Sequence, residues 1–383
     1  IKEIFNKAMN HIMKKNLFLI NSLEAGGAER ELCGFANILK ESTKVYLSIL
    51  KIAIFYKLPD VPIIPLSKAR TNFSFLLNFP IAAMNFRRVL KIIRPEYVFS
   101  SLELSNFFNL LFNPYKKIVS VEISLDFFRK RGLKNFFYLI LIKMLYPRVD
   151  LFKVNSKQLK YEIVKEFHVN PSRVYVLYNP IDLEQIELLK KEPLNQLLLN
   201  RISGKKVFIT MGRLVKIKRF EKLIKGFGEI AKKDANCVLL ILGGGPMKKT
   251  LKQILLEPFK SRIIFLGIRK NVFKYLNNAN FFLYSSEMEG MPNSLVEAIA
   301  CGLPIITSDF KTGARELIDP KLSFHSQISY PYYGPNGVLL SVDNFINDLL
   351  KVDYSKVKQQ KEGLQRFLRK TDISELFGLN RNP

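Results

Sequence analysis

Glu289 and Glu297, with seven residues between them, lie in Ser285-Ser-Glu-Met-Glu-Gly-Met-Pro-Asn-Ser-Leu-Val-Glu-Ala298. A strand-like run ends there, a Gly-Met-Pro loop follows, and a helix is expected to begin near Asn293 or Ser294. The spacing puts one carboxylate on the loop and the other about a turn inside the helix, so both can address one extended ligand. Asn293 and Ser294 are capping types, and free amides at a helix start can hold an anion. Acids near helix starts are ordinary, so plain capping stays open for both glutamates. Arg213 and Lys218 sit in Met211-Gly-Arg-Leu-Val-Lys-Ile-Lys218, directly after another strand-like run. An arginine offers a fork to two phosphate oxygens and a lysine a mobile point charge, which together suit a departing diphosphate. A solvated basic loop is the plain alternative.

Three further turns follow strand-like runs. Leu23-Glu-Ala-Gly-Gly-Ala-Glu-Arg30 opens a helix, where Gly26 and Gly27 either let backbone amides approach a phosphate or form a tight strand-to-helix turn with no ligand. Leu242-Gly-Gly-Gly-Pro246 reads either as a close approach to a ligand or as a simple turn with proline at the helix start. Thr307-Ser-Asp-Phe-Lys-Thr-Gly-Ala-Arg-Glu316 makes Asp309 and Glu316 secondary candidates, with loop capping as the alternative.

These loops need strands to hold them. Short apolar, β-branched runs alternate with amphipathic stretches: 16–20, 45–50, 97–100, 118–121, 152–155, 174–178, then 207–210, 237–242, 263–266, 281–284 and 304–307. The rhythm breaks near residues 184–204. The pattern predicts an α/β chain of two doubly wound Rossmann-like domains, with ligand crevices at the carboxyl ends of the strands facing across a cleft. The expected boundaries are 1–190, 191–360 and a C-terminal helical segment, 361–383, packing back on the N-terminal domain.

Composition narrows the setting. Cys33, Cys237 and Cys301 form no paired spacing, and the three histidines show no helical metal spacing, so neither a disulfide framework nor a protein-ligated metal is expected. No export signal is read, and the longest apolar run, Phe136–Ile142, falls far short of the roughly 20 residues of a membrane-spanning helix. The formal charge of +27 implies a polyanionic partner or surface. Residues 1–155 carry 24 Lys and Arg against 11 Asp and Glu, about half of the excess. Between Lys68 and Arg94 six basic and no acidic residues are interleaved with Phe73, Phe75, Leu76, Leu77, Phe79, Ile81 and Phe86, and Phe127–Arg148 repeats the mixture. Such segments suit an anionic membrane surface, while no DNA- or RNA-binding signature accompanies the charge. A core helix with solvated lysines is the alternative.

In this order and spacing the motifs resemble glycosyltransferase family 4, retaining enzymes of the GT-B fold. The resemblance covers nearly the whole chain and is most specific from Val207 to Ile318. It implies that Arg213 and Lys218 bind the donor diphosphate, Glu289 faces the donor sugar and Glu297 bonds the ribose hydroxyls. Backbone amides of Met291, Pro292, Asn293, Ser294 and Leu295 would hold sugar and phosphate. Gly267, Ile268 and Arg269 would grip the base, and Gly26 and Gly27 would approach the phosphate and acceptor. Attack on the sugar's front face, with the leaving phosphate taking the acceptor proton, needs no metal cofactor, in keeping with the missing Asp-x-Asp motif. One departure stands out: many members place a histidine after the glutamate of Val119-Ser-Val-Glu-Ile-Ser124, where this chain has Ile123.

Leu145-Tyr-Pro-Arg-Val-Asp-Leu-Phe-Lys-Val-Asn-Ser156 and Leu177-Tyr-Asn-Pro-Ile-Asp182 look like bacterial enzymes that extend lipid-linked oligosaccharides with N-acetylgalactosamine. The expectation is therefore a UDP-sugar donor, a polyprenyl-linked or other lipid-linked glycan acceptor, and no nucleic acid. The expected place is the cytoplasm, peripheral on the inner face of the plasma membrane. The alternatives are a soluble transferase acting on a small sugar and a non-catalytic GT-B binding protein.

Overall fold

The computed structural model describes residues 13–24, 26–54, 59–129, 132–179, 181–255, 259–360 and 373–379. Two compact units emerge, Ile1–Pro180 with Thr371–Pro383, and Ile181–Lys370. The first division falls at Pro180 and not at 190 because helix Leu183–Leu189 is tied into the second unit. Its carboxyl end receives Asn271 Nδ2 on the Leu189 carbonyl at 2.8 Å and Asn277 Nδ2 on the Lys190 carbonyl at 3.3 Å. The second falls at Lys370 and not at 360.

In the first unit the strands are β1 Lys15–Ile20, β2 Lys44–Ile49, β3 Ile63–Pro65, β4 Tyr97–Ser101, β5 Lys116–Val121, β6 Leu151–Val154 and β7 Val174–Val176. They form one parallel sheet in the order β3-β2-β1-β4-β5-β6-β7. The helices used below are α1 Gly27–Leu39, α2 Asn72–Ile93, α3 Glu103–Phe112, α4 Gly132–Leu145 and α5 Lys157–Phe167. Parallel strands need crossovers, and the helices that supply them bury both faces of the sheet, which is why β1 and β4 are buried along their length without alternation. Of the segment 361–383, residues 361–372 and 380–383 lie outside the described residues. Ser374–Phe377 forms a short 3₁₀ turn whose Phe377 ring lies 5.9 Å from Phe18 and 6.3 Å from Phe99, within the first unit's core.

The second unit repeats the plan with β8 Lys206–Met211, β9 Cys237–Leu242, β10 Ile263–Gly267, β11 Phe281–Tyr284, β12 Ile305–Ser308, β13 Tyr332–Gly334 and β14 Gly337–Leu340, in the order β10-β9-β8-β11-β12-β14-β13. Helices α6 Phe220–Lys233, α7 Asn293–Ala300 and α8 Gly313–Ile318 follow β8, β11 and β12. Helix α6 buries Phe220, Leu223, Ile224, Phe227, Ile230 and Ala231, the stripe expected of a helix lying on a sheet.

Three strands were not expected from the sequence. β3 is only three residues long. β13 and β14 form an antiparallel hairpin closed by Pro335 and Asn336, with Gly334 opposite Gly337. The Asn-Gly pair flanked by Tyr-Tyr and Val-Leu-Leu is the signal that would have found it.

In each sheet the strand order reverses at one place, between β1 and β4 and between β8 and β11. Loops leaving the two carboxyl ends diverge there and open a crevice, the usual ligand position of a doubly wound fold.

Candidate functional site

The switch point of the second unit gathers several of the expected residues. The loop after β8 runs through Arg213 to a 3₁₀ turn, Lys216–Lys218, and the loop after β11 carries Ser285 to Gly290. Ser285 Oγ donates to the carbonyls of Lys218 and Arg219 at 2.9 and 3.0 Å, and the Glu287 amide bonds the Ile217 carbonyl at 2.9 Å. The two loops are therefore stitched together.

That stitching places Lys218 Nζ 2.5 Å from Glu289 Oε1 and 2.5 Å from the Tyr284 hydroxyl. Tyr284 in turn donates to Glu289 Oε1 at 3.1 Å, and Ser286 Oγ donates to the same oxygen at 2.6 Å. Three donors thus converge on Oε1, while Oε2 has no partner among the described residues. Burial works against the Lys218 charge, but Glu289 and Tyr284 outweigh it and hold the ammonium above the ordinary lysine value. Burial, then the Glu289 charge, pushes the Tyr284 hydroxyl up. At neutral pH Lys218 is charged and Tyr284 keeps its proton. Tyr284 and Ser286 were missed in the sequence; their signal was their position, five and three residues before Glu289 at a strand end.

The Glu289 backbone is fixed from the other side, since Thr312 Oγ1 donates to its carbonyl and the Gly313 amide bonds the Gly290 carbonyl at 2.8 Å. Helix α7 then starts at Asn293 with Pro292 as its N-cap and no side-chain cap bond, so Asn293 and Ser294 lie inside the helix and do not cap it. Of the amides from Met291 to Leu295, Pro292 has none and that of Leu295 already bonds the Pro292 carbonyl at 3.1 Å. Those of Met291 and Ser294 have no backbone acceptor among the described residues. Glu297 is buried within α7, one turn further in.

Arg213 is exposed and has no side-chain partner among the described residues, which leaves its guanidinium available to an anion. Its loop is held by its neighbours: the Leu214 amide bonds the Gly244 carbonyl at 2.8 Å, and the Met247 amide bonds the Leu214 carbonyl at 3.0 Å. Gly243, at φ +130°, packs so closely that a Cβ there would meet the Gly212 carbonyl oxygen at 2.0 Å. The triple glycine therefore serves loop-to-loop packing. Gly267 follows at the next strand end, its carbonyl taking the Gly243 amide at 2.8 Å, with Ile268 and Arg269 exposed beyond it. Asp309 is not available to a ligand. Its carboxylate takes Arg315 Nε at 3.0 and 2.9 Å, Arg315 Nη2 at 2.7 Å and the Tyr330 hydroxyl at 2.6 Å, a buried staple for the following loop. Glu316 is buried in α8.

In the first unit Gly26 is the N-cap of α1, but the Glu29 carboxylate folds over it, 1.9 Å from where a Cβ would lie. The start of α1 is thus covered by its own acid. A polar centre absent from the sequence reading lies at the ends of β5 and β6. Lys153, fully buried, is paired with Glu31 of α1 and, at 3.0 Å, with Glu122 Oε1. Ser120 Oγ also bonds Oε1, and Asn155 Nδ2 bonds Oε2 at 2.8 Å. Burial and then Glu122 raise the Glu31 carboxyl well above the usual range; for Glu122, burial is outweighed by Lys153 and its hydrogen bonds, which lower it. Among the described residues no group of three or more His, Cys, Asp or Glu side chains could hold a metal ion, and no helix is long and apolar enough to cross a membrane.

Comparison with known proteins agrees with this geometry. Residues 46–185 match the model of Glycosyltransferase Family 4, and residues 199–326 that of Glycosyl transferases group 1. An uncharacterized glycosyltransferase of Methanocaldococcus jannaschii is 34% identical over 211 residues, 55% of this chain, and the match spans about half, 52%, of that relative. The N-acetylgalactosamine-N,N'-diacetylbacillosaminyl-diphospho-undecaprenol 4-alpha-N-acetylgalactosaminyltransferase of Campylobacter jejuni is 30% identical over 315 residues, covering 80% of this chain and 83% of that enzyme. Among solved structures, Anabaena HepE in complex with UDP and glucose superposes with a TM-score of 0.68 at 18% identity, over 93% of this chain and 96% of that one. The chain belongs to glycosyltransferase family 4 and has the two Rossmann-like units of the GT-B fold.

Proposed function

We propose that this chain is a retaining glycosyltransferase that moves a hexose or N-acetylhexosamine from a UDP-sugar to a lipid-linked glycan acceptor, without a required metal. The observation that carries the reading is Glu289. Three donors lock its Oε1 at the switch point of the second unit and leave Oε2 for a ligand hydroxyl. Arg213, exposed and unpaired, and Lys218, held charged, supply the positive field that a departing diphosphate needs. Glu297 is the expected partner of the ribose hydroxyls, and the amides of Met291 and Ser294 of the sugar and phosphate. UDP and glucose bound to HepE, and the diphospho-undecaprenol acceptor named for the Campylobacter enzyme, support the substrate classes.

Calorimetric titration with UDP, GDP and ADP is the test. UDP is expected to bind selectively and equally with and without EDTA, and Arg213→Ala is expected to weaken it about 10- to 100-fold, the loss of a bidentate charged contact. No nucleotide binding would overturn the reading in favour of a non-catalytic binding protein.

Two helices of the first unit support a place of action at a membrane surface. Helix α2 buries Phe75, Ala82, Phe86, Leu90 and Ile93 on one face, yet exposes Phe73 (74%), Leu76 (69%), Leu77 (71%), Ile81 and Met84 on another. Helix α4 exposes Leu133 (79%), Phe136, Phe137, Ile140, Leu141 and Met144, again one helical stripe. Exposed Lys68, Arg70, Arg87, Arg88 and Lys91 lie in and just before α2. Apolar side chains beside basic ones match an anionic bilayer surface and support a place on the inner face of the plasma membrane, where a lipid-linked acceptor would be met. In a flotation assay the chain is expected to rise with vesicles containing phosphatidylglycerol, and Phe73→Ser/Leu77→Ser to remain at the bottom. A wild-type chain that stays down would favour a soluble transferase acting on a small sugar.

A further inference from the structure

The positive charge of the second unit is unevenly spread. Between Asp234 and Glu287 the chain carries eight Lys and Arg against one acid, Glu257, whereas the whole chain holds 60 against 33. Some of those cations have local work. Arg262 Nη1 donates to the Ala231 and Asp234 carbonyls at 2.9 and 3.1 Å, and Lys274 Nζ pairs with Glu192 at 3.4 Å. Lys248, Lys249, Lys252, Arg269 and Lys270 have none: all five are exposed, and their side chains make no ion pair or hydrogen bond among the described residues.

Loop packing gathers these five at one rim. The Gly243 amide bonds the Gly267 carbonyl at 2.8 Å, and a Cβ on Gly244 would meet Ile268 Cδ1 at 3.0 Å, so the loops leaving β9 and β10 lie together. The Met247 amide, bonded to the Leu214 carbonyl at 3.0 Å, sets the short helix Lys248–Gln253 against the loop of Arg213 and the equally exposed Lys216. Leu251 anchors that helix, and its three lysines stay in water. The rim thus runs along the carboxyl ends of β10, β9 and β8 and stops at the switch point, where Lys218 and Glu289 lie.

An exposed ammonium free to swing in water makes a weak contact, because its side chain loses freedom and solvent screens the pair. What such groups share is their field. Unpaired charges of one sign add, and within the roughly 8–10 Å that physiological salt allows they raise the local concentration of an anion and its rate of arrival. Charges of this kind act on association and its salt dependence more than on dissociation.

We propose that Lys248, Lys249, Lys252 and Lys270 form an encounter surface for a nucleoside diphosphate: they draw the anion along the rim towards Arg213 and Lys218 and do not hold it once it is bound. The proposal rests on the reading of the chain as a transferase with a nucleotide-sugar donor.

The test is the rate of UDP binding to the whole chain, with koff read from phosphorus NMR line shapes, Kd from calorimetry and kon from their ratio. Lys248→Gln/Lys249→Gln/Lys252→Gln is expected to lower kon about 3- to 10-fold at about 20 mM salt and less than about twofold at about 500 mM, where screening removes the field. Its koff should stay within about twofold of the wild type at both, since no bound contact is lost. Glutamine is a good helix former, and an unchanged koff shows that the site is intact. The charge-keeping variant Lys248→Arg/Lys249→Arg/Lys252→Arg should keep the wild-type kon. An unchanged kon in the glutamine variant, or a loss of affinity carried by koff at both salt concentrations, would overturn the encounter role. An unchanged kon joined to lost flotation with phosphatidylglycerol vesicles would overturn it in favour of a lipid surface. UDP binding with an unaltered kon sinks this proposal alone, whereas no UDP binding by the wild type sinks the transferase reading with it.

Discussion

Glu289→Gln is expected to lower sugar transfer about 100- to 1,000-fold, the range seen when one preorganised electrostatic group is removed from an active site. The substitution keeps the shape of the side chain and removes its charge. Lys218 Nζ, 2.5 Å from Oε1, then loses its counter-ion in a site where burial already opposes its charge. Tyr284 and Ser286 can still donate to an amide oxygen, so the loop should stay in place. What changes is the outer atom, Oε2, which as an amide would donate where a carboxylate accepts. On the proposed reading a sugar hydroxyl loses its acceptor, and positive charge developing at the anomeric carbon loses a negative group beside the leaving diphosphate. UDP affinity should move less than about threefold, because the proposed contact is to the sugar and would act mainly in the transition state. The measurement is release of UDP from UDP-glucose, UDP-galactose and their N-acetylated forms, beside UDP titration. Release within threefold of the wild type for every donor would remove Glu289 from the reacting centre.

Lys153→Met should cost the fold about 3–5 kcal/mol, because it removes one member of a buried charge cluster and leaves the others uncompensated. Lys153 is fully buried, Glu31 nearly so, and Glu122 mostly so. Methionine fills a similar volume, so the loss reports charge and hydrogen bonding more than a cavity. The pH dependence fixes the sign. In the wild type Lys153 helps hold the Glu122 carboxyl below its ordinary range, so that stability is present above the unfolded value and is lost as pH falls through the folded one. Without the lysine, burial raises both carboxyls, and each then favours the fold at low pH and opposes it as pH rises through its raised value. The deficit of Lys153→Met should therefore be larger at pH 8 than at pH 5. Urea unfolding at both values checks it, and an equal deficit would mean that packing and not charge is what Lys153 supplies. Lys153→Met/Glu31→Gln should recover part of the loss, since one buried acid is then neutral.

How much of this was visible in the residues varies from place to place. All eleven expected strands lie within two residues of the observed bounds at each end, because an apolar run bounded by turns is a local signal. The hairpin of β13 and β14 had a local signal too, Asn336-Gly337, which went unread. Asp309 misled: a carboxylate after a strand looks the same whether it meets a ligand or Arg315, and only the 2.7 Å contact to Nη2 tells them apart. Gly243–Gly245 presented the same ambiguity, and the 2.0 Å approach to Gly212 resolved it.

The sequence by itself determined the class of the fold, the strand ends at which chemistry is possible, and a basic, aromatic first half. Each depends on periodicity, turn residues or summed charge, which neighbours in the chain carry among themselves. Tertiary structure alone decided which groups act together. Lys218 and Tyr284 are 66 positions apart and Lys153 and Glu31 are 122 apart, and whether such side chains touch depends on strand order and on the loops stitched between strands. It also decided which exposed apolar stripes stayed uncovered on α2 and α4, because burial is a property of everything packed around a residue and is written in no single stretch of sequence.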